Sequence, residues 1–548
     1  MEGETVELKS DVEANNVGGE LNITFSKSPT EDGVKPFQVD TSDDYCGLKK
    51  EDLLKYAKDP YWVRLRIILL VLFSILWIAM LVSAIVIIVL TPKCPPRPHQ
   101  EWWETAVIYQ VPVEAFHDSN GDKVGDLKGL TEKLDYIKHT LKADAIAMSP
   151  IYKYGLEPTN FNYSIPSPPL GTLNDFIHLV NSARKKDLKI VLDFDFVKLN
   201  EDLKSPENKK LDDMLWNWLK LKIDGIKIIN ENGISNEQIN HWKQLFENFT
   251  NQDTQTTQKH PKVLMEYKAG RSTNELTSLK TSTNFVPVNE ALLSMKIDCK
   301  AKCVSDLVHK WLSDIGPTSK ISNWMFGGSK NGRIASRMVD RHAEINGDGM
   351  LNAANLLLMT LPGSAFVYYG DEIGMKDSAL NELNVNPMHW DDSSSMEGNS
   401  TKDSNSTDQN VEMYFMLQYQ SAHGSGMSHL KVFQKYVFLR KEPSLKWGTL
   451  HASILKNVYF YLRKAEGHSN LLVAINFGPG PSAVNLRSGK MADKIPAVNA
   501  IIATSTYNFE GKRIDLFADG TEIDLGVPIL LHAGEGIVLK WDDPKSWF

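Results

Sequence analysis

Residues Ile67 to Leu90 read IILLVLFSILWIAMLVSAIVIIVL, twenty-four positions without a charged side chain. At ~1.5 Å per residue this makes a helix of ~36 Å, enough to cross a hydrocarbon core of ~30 Å. Lipid offers the backbone no hydrogen bonds, so a single span must be helical. A buried core helix would be shorter and would carry a polar face. A cleaved leader would start nearer Met1 and have a shorter apolar run. The flanks set the expected orientation. Lys49, Lys50, Lys55, Lys58, Arg64 and Arg66 precede the span, and only Lys93 and Arg97 follow it closely. Basic flanks stay in the cytoplasm, which places the N-terminus there and everything after Leu90 outside. The expectation is a single-pass type II membrane protein.

Residues 1–66 form the expected cytoplasmic part. Up to about Asp44 they are polar and poor in aromatics, and cannot bury enough apolar surface to order themselves. Over 45–62, Leu48, Leu53, Leu54 and Tyr56 read as a short amphipathic lead-in touching membrane lipids, with Trp62 as an anchor. Within the span, Ser74, Ala79 and Ser83 are small. Small residues let a second helix approach closely, unless the spacing is incidental. Residues 91–101 hold four prolines and read as a stiff neck that keeps Cys94 near the outer membrane face. A thiol held there is well placed to bond another membrane protein; the alternative is a single or palmitoylated cysteine. With four cysteines in all, this is not a disulfide-built scaffold. Cys299 and Cys303 are close enough in sequence to pair, although an i, i+4 pair on a helix fits disulfide geometry only marginally.

From Trp102 short apolar runs alternate with amphipathic stretches. The runs Ala106–Val111, Ala145–Ile151, Lys189–Phe194, Gly225–Asn230, Lys262–Tyr267, Asn284–Val288, Asn323–Gly327 and Ala365–Gly370 read as strands. Helical patterns such as Leu127–Leu141 and Leu173–Lys186 lie between them. Eight such alternations predict an α/β fold, a (β/α)8 TIM barrel over 102–445. Tyr459–Arg463, Leu471–Phe477, Ile501–Tyr507 and Ile537–Trp541 predict an antiparallel β-sandwich over 446–548. The net charge of −8 argues against nucleic acid as a partner. Asn162, Asn248, Asn399 and Asn405 each open an Asn-x-Ser/Thr triplet in loop-like sequence, as expected of a glycosylated ectodomain.

The barrel motifs carry a resemblance. Trp102-Trp103, Ile108-Tyr109-Gln110-Val111, Phe116-His117-Asp118-Ser119-Asn120-Gly121-Asp122 and Gly125-Asp126-Leu127-Lys128-Gly129 resemble the opening of an alpha-amylase-family barrel. Thr360-Leu361-Pro362-Gly363, Tyr369-Gly370-Asp371-Glu372-Ile373-Gly374 and Leu439-Arg440-Lys441 resemble its end. Leu53-Leu54-Lys55, Asp59-Pro60, Trp62-Val63-Arg64 and Pro92-Lys93-Cys94 around the span are similar to the heavy chains of heteromeric amino-acid transporters, solute carrier family three. Two branches fit: the cell-surface antigen heavy chain, and the chain related to the neutral and basic amino-acid transport protein.

The resemblance implies a barrel that has lost its chemistry. A retaining glycosidase needs two carboxylates ~5–5.5 Å apart. The family's strand-four motif Asp-Gly-Phe-Arg-x-Asp is here Asp224-Gly225-Ile226-Lys227-Ile228-Ile229. Ile229 at the nucleophile position has no oxygen with which to attack, and Lys227 lacks the planar fork of arginine. The strand-seven motif Gly-Asn-His-Asp-x-x-Arg is Gly327-Gly328-Ser329-Lys330-Asn331-Gly332-Arg333, with Lys330 at the third carboxylate. The strand-three motif Asp-x-x-x-Asn-His is Asp193-Phe194-Asp195-Phe196-Val197-Lys198. Glu266 alone keeps the acid/base position, and no catalytic residue or catalytic cofactor is expected. Asp118, Asn120, Asp122 and Asp126 put oxygens at alternate positions, as calcium loops do; the alternative is an Asx turn. Related barrels bind calcium there through these residues and the Val124 carbonyl. The implied function is that of a non-catalytic subunit at the plasma membrane, joined through Cys94 and helix packing to a multi-span amino-acid transporter light chain. A membrane-anchored α-glucosidase and an adhesion or receptor ectodomain are the rival readings.

Overall fold

In a computed structural model of the protein, the described residues are 54, 56–90 and 97–542, less 153–165, 196–208, 231–233, 253–260, 268–283, 290, 297, 316–321, 330, 339–346, 378–384, 391–416, 422–426, 489–490, 497–498 and 507–518. Leu48, Leu53, Cys94, Asn162, Lys330, Asn399 and Asn405 lie outside them. The chain forms two units, Met1–Thr91 and Pro92–Phe548.

The first unit is built on one helix, Pro60–Leu90, of 31 residues. It starts seven residues before the uncharged run. The Asp59 carboxylate caps it, accepting from the Tyr61 N–H at 2.9 Å, and Pro60 fills the first helical position, where a missing N–H costs nothing. None of its residues is buried within the unit, and it is long and apolar enough to cross a membrane. Ser74 and Ser83 return their hydroxyls to the carbonyls of Leu70 and Met80, each at 2.8 Å. Their polar groups are thereby satisfied inside the helix, as an apolar solvent demands.

The second unit opens with eight strands: β1 (Val107–Val111), β2 (Ala145–Met148), β3 (Lys189–Asp195), β4 (Gly225–Ile229), β5 (Val263–Tyr267), β6 (Phe285–Val288), β7 (Asn323–Met325) and β8 (Ser364–Tyr368). They pair in parallel in the order β6-β5-β4-β3-β2-β1-β8-β7. Parallel neighbours need crossovers, and helices including Leu173–Lys185, Lys209–Lys220, Asn236–Gln252, Ala301–Ile315 and Gly347–Thr360 supply them. Side chains alternate along each strand. Ile108, Ala145, Ala147, Val191, Val263, Met265, Val286 and Phe366 fill the barrel interior. Their neighbours Tyr109, Ile146, Ile190, Ile228 and Leu264 pack in the larger core beneath the helices.

Between β6 and β7 side chains take over from the ladder. Pro287 in β6 has no N–H to give. The Asn289 N–H instead donates to Asn323 Oδ1 at 2.8 Å, and Asn323 Nδ2 donates to the Pro287 carbonyl at 2.7 Å. The helix expected over Leu127–Leu141 divides into Leu127–Glu132 and a π-helical turn, Tyr136–Thr140, in which the Leu141 N–H reaches back to the Tyr136 carbonyl at 3.0 Å. The wider turn presents the Tyr136 hydroxyl to Glu372. The two glycines of Gly125-Asp126-Leu127-Lys128-Gly129 sit where backbone crosses backbone. A Cβ at Gly125 would lie 2.2 Å from the Val113 carbonyl, and one at Gly129 2.0 Å from that of His117.

After a helix at His429–Leu439 and a short one at Pro443–Lys446 come β9 (Thr449–Leu455), β10 (Val458–Lys464), β11 (Asn470–Asn476), β12 (Ser482–Val484), β13 (Asn499–Ser505), β14 (Glu522–Asp524), β15 (Ile529–Leu531) and β16 (Gly536–Trp541). Six form an antiparallel sheet in the order β14-β13-β16-β11-β10-β9, and β12 pairs with β15. A second core, including Phe460, Leu472, Val484, Ile502, Leu531 and Leu539, joins the sheet to the two-stranded ribbon. The four strands expected from the sequence are β10, β11, β13 and β16. The others are either short or, like β9, half-exposed.

Two buried arginines tie distant segments together: Arg463, in β10, holds the sheet to the barrel, and Arg440, at the end of the helix His429–Leu439, holds that helix to the barrel. Arg463 donates to the carbonyls of Thr360 (2.7 Å), Leu445 (2.7 Å) and Gly448 (3.1 Å). Arg440 donates to those of Met359 (2.8 Å), Gly363 and Thr105 (3.4 Å). Thr360 and Met359 end a helix, where carbonyls have no partner of their own. Cys299 and Cys303 form a disulfide with Cα atoms 5.3 Å apart. The helix begins at Ala301, so Cys299 lies in the turn ahead of it and the bond escapes the geometry of a helical i, i+4 pair.

Candidate functional site

The inward-facing residues at the carboxyl ends of the strands surround a cleft of about 210 Å³. This is where TIM barrels place their chemistry. Gln110 (β1), Asp193 and Asp195 (β3), Lys227 and Ile229 (β4), Tyr267 (β5) and Tyr368 (β8) line it, with Glu114, Ser149, Ser329 and Asn331 at its rim. The strand period explains the set: residues two apart on one strand share a face.

The cleft floor is a buried charge pair. Lys227 Nζ lies 2.7 Å from Asp193 Oδ2, and both side chains are nearly inaccessible, at 7% and 11% exposure. The register places Lys227 directly opposite Asp193 across β3 and β4. The lysine also donates to Gln110 Oε1 at 3.3 Å. Burial raises the Asp193 carboxyl to about 6; the Lys227 ammonium pulls against that rise, and Asp195 adds to it. Asp193 Oδ1 is buried without a hydrogen-bond partner among the described residues.

Among the described residues, Ile229 and Glu266, the positions that the resemblance marks as catalytic, do not converge. Ile229 lines the cleft, and its side chain is the apolar wall on β4. Glu266 pairs in register with Ile228, and Ile229 pairs with Tyr267. Glu266 therefore sits on the strand face turned away from the cleft, and Tyr267 takes the lining position. The Glu266 carboxylate accepts from the Asn230 side-chain amide at 2.9 Å. Asn230 in turn accepts from the Ile234 N–H at 3.2 Å, so the unit braces the end of β4. Lys330 is outside the described residues; its neighbours Ser329 and Asn331 line the rim, where Asn331 donates to the Tyr267 hydroxyl at 3.4 Å. No carboxylate faces Asp193 from the Ile229 position to share a displacement.

Behind the cleft lies a second set of charges. Glu372 is fully buried and accepts from the hydroxyls of Tyr109 (2.6 Å) and Tyr136 (2.8 Å). Burial raises its carboxyl. Asp371 stands 4.0 Å from Arg333, and burial lifts its carboxyl to about 7 against the pull of that guanidinium. Arg333 donates to the Tyr369 carbonyl and lies over the rings of Tyr368 and Tyr369. These contacts explain why Tyr369, Asp371 and Glu372 form a recognisable motif.

At the first βα loop, Asp118 accepts from the N–H groups of Asn120 (2.9 Å), Gly121 (2.7 Å) and Lys123 (2.8 Å). Asn120 accepts from Asp122, and Asp122 from Val124, each at 2.8 Å. Asp126 caps the next helix through the Gly129 N–H (2.7 Å) and binds the Ser119 hydroxyl. Among the described residues no group of three His, Cys, Asp or Glu side chains is gathered to hold a metal. Asn248 is exposed in the helix Asn236–Gln252 rather than in a loop, and its triplet partner Thr250 is buried, donating to the Phe246 carbonyl at 2.9 Å.

The sequence reading missed the Asp193–Lys227 pair and the Glu372 cluster. The signal for the first was present: Asp193 and Lys227 stand at matching heights of adjacent predicted strands. Nothing in the sequence joined Tyr109 and Tyr136 to Glu372, because a π-helical turn departs from the helical period.

Comparison with known proteins agrees with this geometry. Amino acid transporter heavy chain SLC3A2 of Oryctolagus cuniculus is 28% identical, with 89% of this chain and 88% of that one covered. Amino acid transporter heavy chain SLC3A1 of Mus musculus is 25% identical over 90% and 86%. Among solved structures, a trehalulose synthase mutant superposes with a TM-score of 0.62 at 16% identity, covering 80% of this chain and all of that one, which bears on the fold. The family profile described as solute carrier family 3 member 2 N-terminus matches residues 35–109. The profile of the alpha amylase catalytic domain matches 110–198 and 195–448, more than half of the chain. The chain belongs to the alpha-amylase family, carrying its barrel behind the N-terminal domain of the solute carrier family 3 heavy chains.

Proposed function

We propose that the chain is the non-catalytic heavy subunit of a heteromeric amino-acid transporter, disulfide-bonded through Cys94 to a multi-span light chain that it carries to the plasma membrane and stabilises there. The N-terminus is cytoplasmic and the barrel extracellular, from the excess of basic residues before the span. The observation that carries the reading is Ile229 beside the Asp193–Lys227 pair. A barrel of this family with an apolar side chain at the attacking position has no route to a covalent glycosyl intermediate. The names borne by the SLC3A2 and SLC3A1 relatives supply the alternative role. The light chain provides the transport path, since one apolar helix without an intramembrane charge cannot line one. A covalent tether at the neck makes packing along Ser74, Ala79 and Ser83 effectively intramolecular. In cells lacking the chain, re-expression restores light-chain surface labelling and amino-acid uptake. Restored uptake without any co-purifying multi-span partner contradicts the proposal.

Two attached expectations belong to the same reading. Asn162, Asn248, Asn399 and Asn405 carry glycans, which a mass shift on glycosidase treatment checks. Calcium sits at Asp118, Asn120, Asp122 and the Val124 carbonyl; Asp126 joins only by giving up a contact to Ser119 or Gly129. The ectodomain melts several degrees lower in chelator than in millimolar calcium if the ion is held, and an unchanged midpoint removes it.

A further inference from the structure

The lead-in and the span meet in a fixed elbow. Tyr56 and Ala57 are helical, Lys58 and Asp59 break the helix, and Pro60 starts the next. Arg66, two turns into the span helix, donates through Nη2 to the Tyr56 carbonyl at 2.8 Å. The Trp62 ring meets Tyr56 edge-on at 6.1 Å and Tyr61 at 5.7 Å. Two of these contacts, Arg66 to Tyr56 and Trp62 to Tyr56, tie the lead-in back onto the first two turns of the span. The elbow surface is both apolar and cationic. Leu54, Tyr56, Tyr61 and Trp62 are 59%, 47%, 66% and 40% exposed. Lys58, Arg64 and Arg66 are exposed among them. Lys58 and Arg64 make no hydrogen bond or ion pair with any described residue, and Asp59, the acid nearest them, is spent as the helix cap. Lys49, Lys50 and Lys55 add charge immediately upstream. Arg64 stands three residues before the uncharged run, within ~5 Å of the hydrocarbon edge along the helix, at the depth of lipid phosphates. Tyrosine and tryptophan favour the same depth.

We propose that this elbow is a docking site for anionic phospholipid headgroups of the cytoplasmic leaflet, with Lys58 and Arg64 as the phosphate contacts and the Tyr56–Trp62 pair wedged at the headgroup boundary. The proposal rests on the cytoplasmic placement of the N-terminus given above. Clustered basic residues beside a span attract anionic lipid with roughly a fivefold gain per side chain, whereas zwitterionic lipid offers no net charge to attract. Arg66 is held by Tyr56 and acts as the brace.

The test uses the full chain, solubilised in detergent and offered equal amounts of phosphatidylcholine, phosphatidylserine and phosphatidylinositol 4,5-bisphosphate with the same acyl chains. Retained lipid is counted by native mass spectrometry. The expected result is at least a tenfold excess of the anionic lipids over phosphatidylcholine, reduced at least fivefold in Lys58→Gln/Arg64→Gln, with the remainder left to Lys49, Lys50 and Lys55. Arg66 is left in place so that the elbow persists, and the variant's circular dichroism and phosphatidylcholine retention are those of the wild type. Equal retention of the three lipids by the wild type overturns the proposal, as does an anionic excess that the double variant keeps. A separate labelling experiment on intact cells, with Ser42→Cys in a Cys94→Ser background and a membrane-impermeant thiol reagent, reads the orientation. Labelling from outside contradicts the cytoplasmic placement itself, whatever the lipid counts.

Discussion

Arg463 and Lys227 are both buried cations, one where the barrel meets the C-terminal sheet, the other on the floor of the cleft. Arg463 spends its guanidinium on three neutral carbonyls, and burial lowers its affinity for the proton to about 9. Lys227 spends its ammonium on one carboxylate and leaves the other oxygen of Asp193 unsatisfied. At the junction Arg463 Nε is likewise buried without a hydrogen-bond partner among the described residues, but the two terminal nitrogens tie the sheet to a helix end and to the chain just ahead of it. On the proposed reading, the cleft is what remains when a motif built for a reaction loses its nucleophile but keeps a charge that still needs a partner. A chain whose barrel serves as a scaffold has reason to keep the first arrangement and no reason to keep the chemistry of the second.

The comparison breaks most visibly at the junction. Arg463→Met leaves three buried carbonyls without a donor and is expected to destabilise the second unit by on the order of 4 kcal/mol. A denaturant-unfolding midpoint unchanged within error would show that the sheet is held by its apolar core alone.

At the cleft, Lys227→Met strands the Asp193 carboxylate, at a cost of about 3 kcal/mol. The double variant Asp193→Asn/Lys227→Met is expected to recover most of that loss, because a buried ion pair contributes little beyond its own desolvation. Equal destabilisation in single and double variants would instead make Lys227 a packing residue.

The raised carboxyls give a smaller, pH-dependent effect. Asp371 rises to about 7 and Asp193 to about 6, against roughly 3.9 in an unfolded chain. Between these values the folded state holds protons that the unfolded state has lost. Their contribution to stability therefore falls as pH rises through that window and is constant above it. His117 and His451, both lowered by burial, act in the opposite sense near pH 6. The comparison with Asp371→Asn isolates the carboxyl: the variant gains on wild type by a few degrees in melting temperature between pH 5.5 and pH 7.5. A pH-independent difference would mean that Asp371 is ionised throughout.

The smallest expected change is in activity. Ile229→Asp restores the family's nucleophile, yet hydrolysis of an α-glucoside stays at background, since Glu266 lies on the other face of β5. Measurable turnover would show that the cleft rearranges to admit a second carboxylate.

The span, the eight strands and the principal strands of the C-terminal sheet were legible because each rests on a local period: an uncharged run, or an apolar segment of strand length. The short strands β12, β14 and β15 carry too few residues for a period. The apolar residue Ile229 at the position the family motif gives to a carboxylate was legible by matching Asp224-Gly225-Ile226-Lys227-Ile228-Ile229 to that motif, which differs at three letters. Glu266 was not, because identity at a position does not say which way a strand faces there; register with its neighbour does. Arg440 was visible as part of Leu439-Arg440-Lys441, but its work of satisfying the carbonyls of Met359, Gly363 and Thr105 depends on residues 81, 77 and 335 positions away.

The most direct test of the central claim is a gel of native membranes run with and without reductant, wild type beside Cys94→Ser. A heavier band that collapses on reduction and is missing from the variant, with a multi-span transporter identified in it by mass spectrometry, is the predicted result. A monomer band under both conditions for the wild type would contradict the disulfide-linked heavy chain.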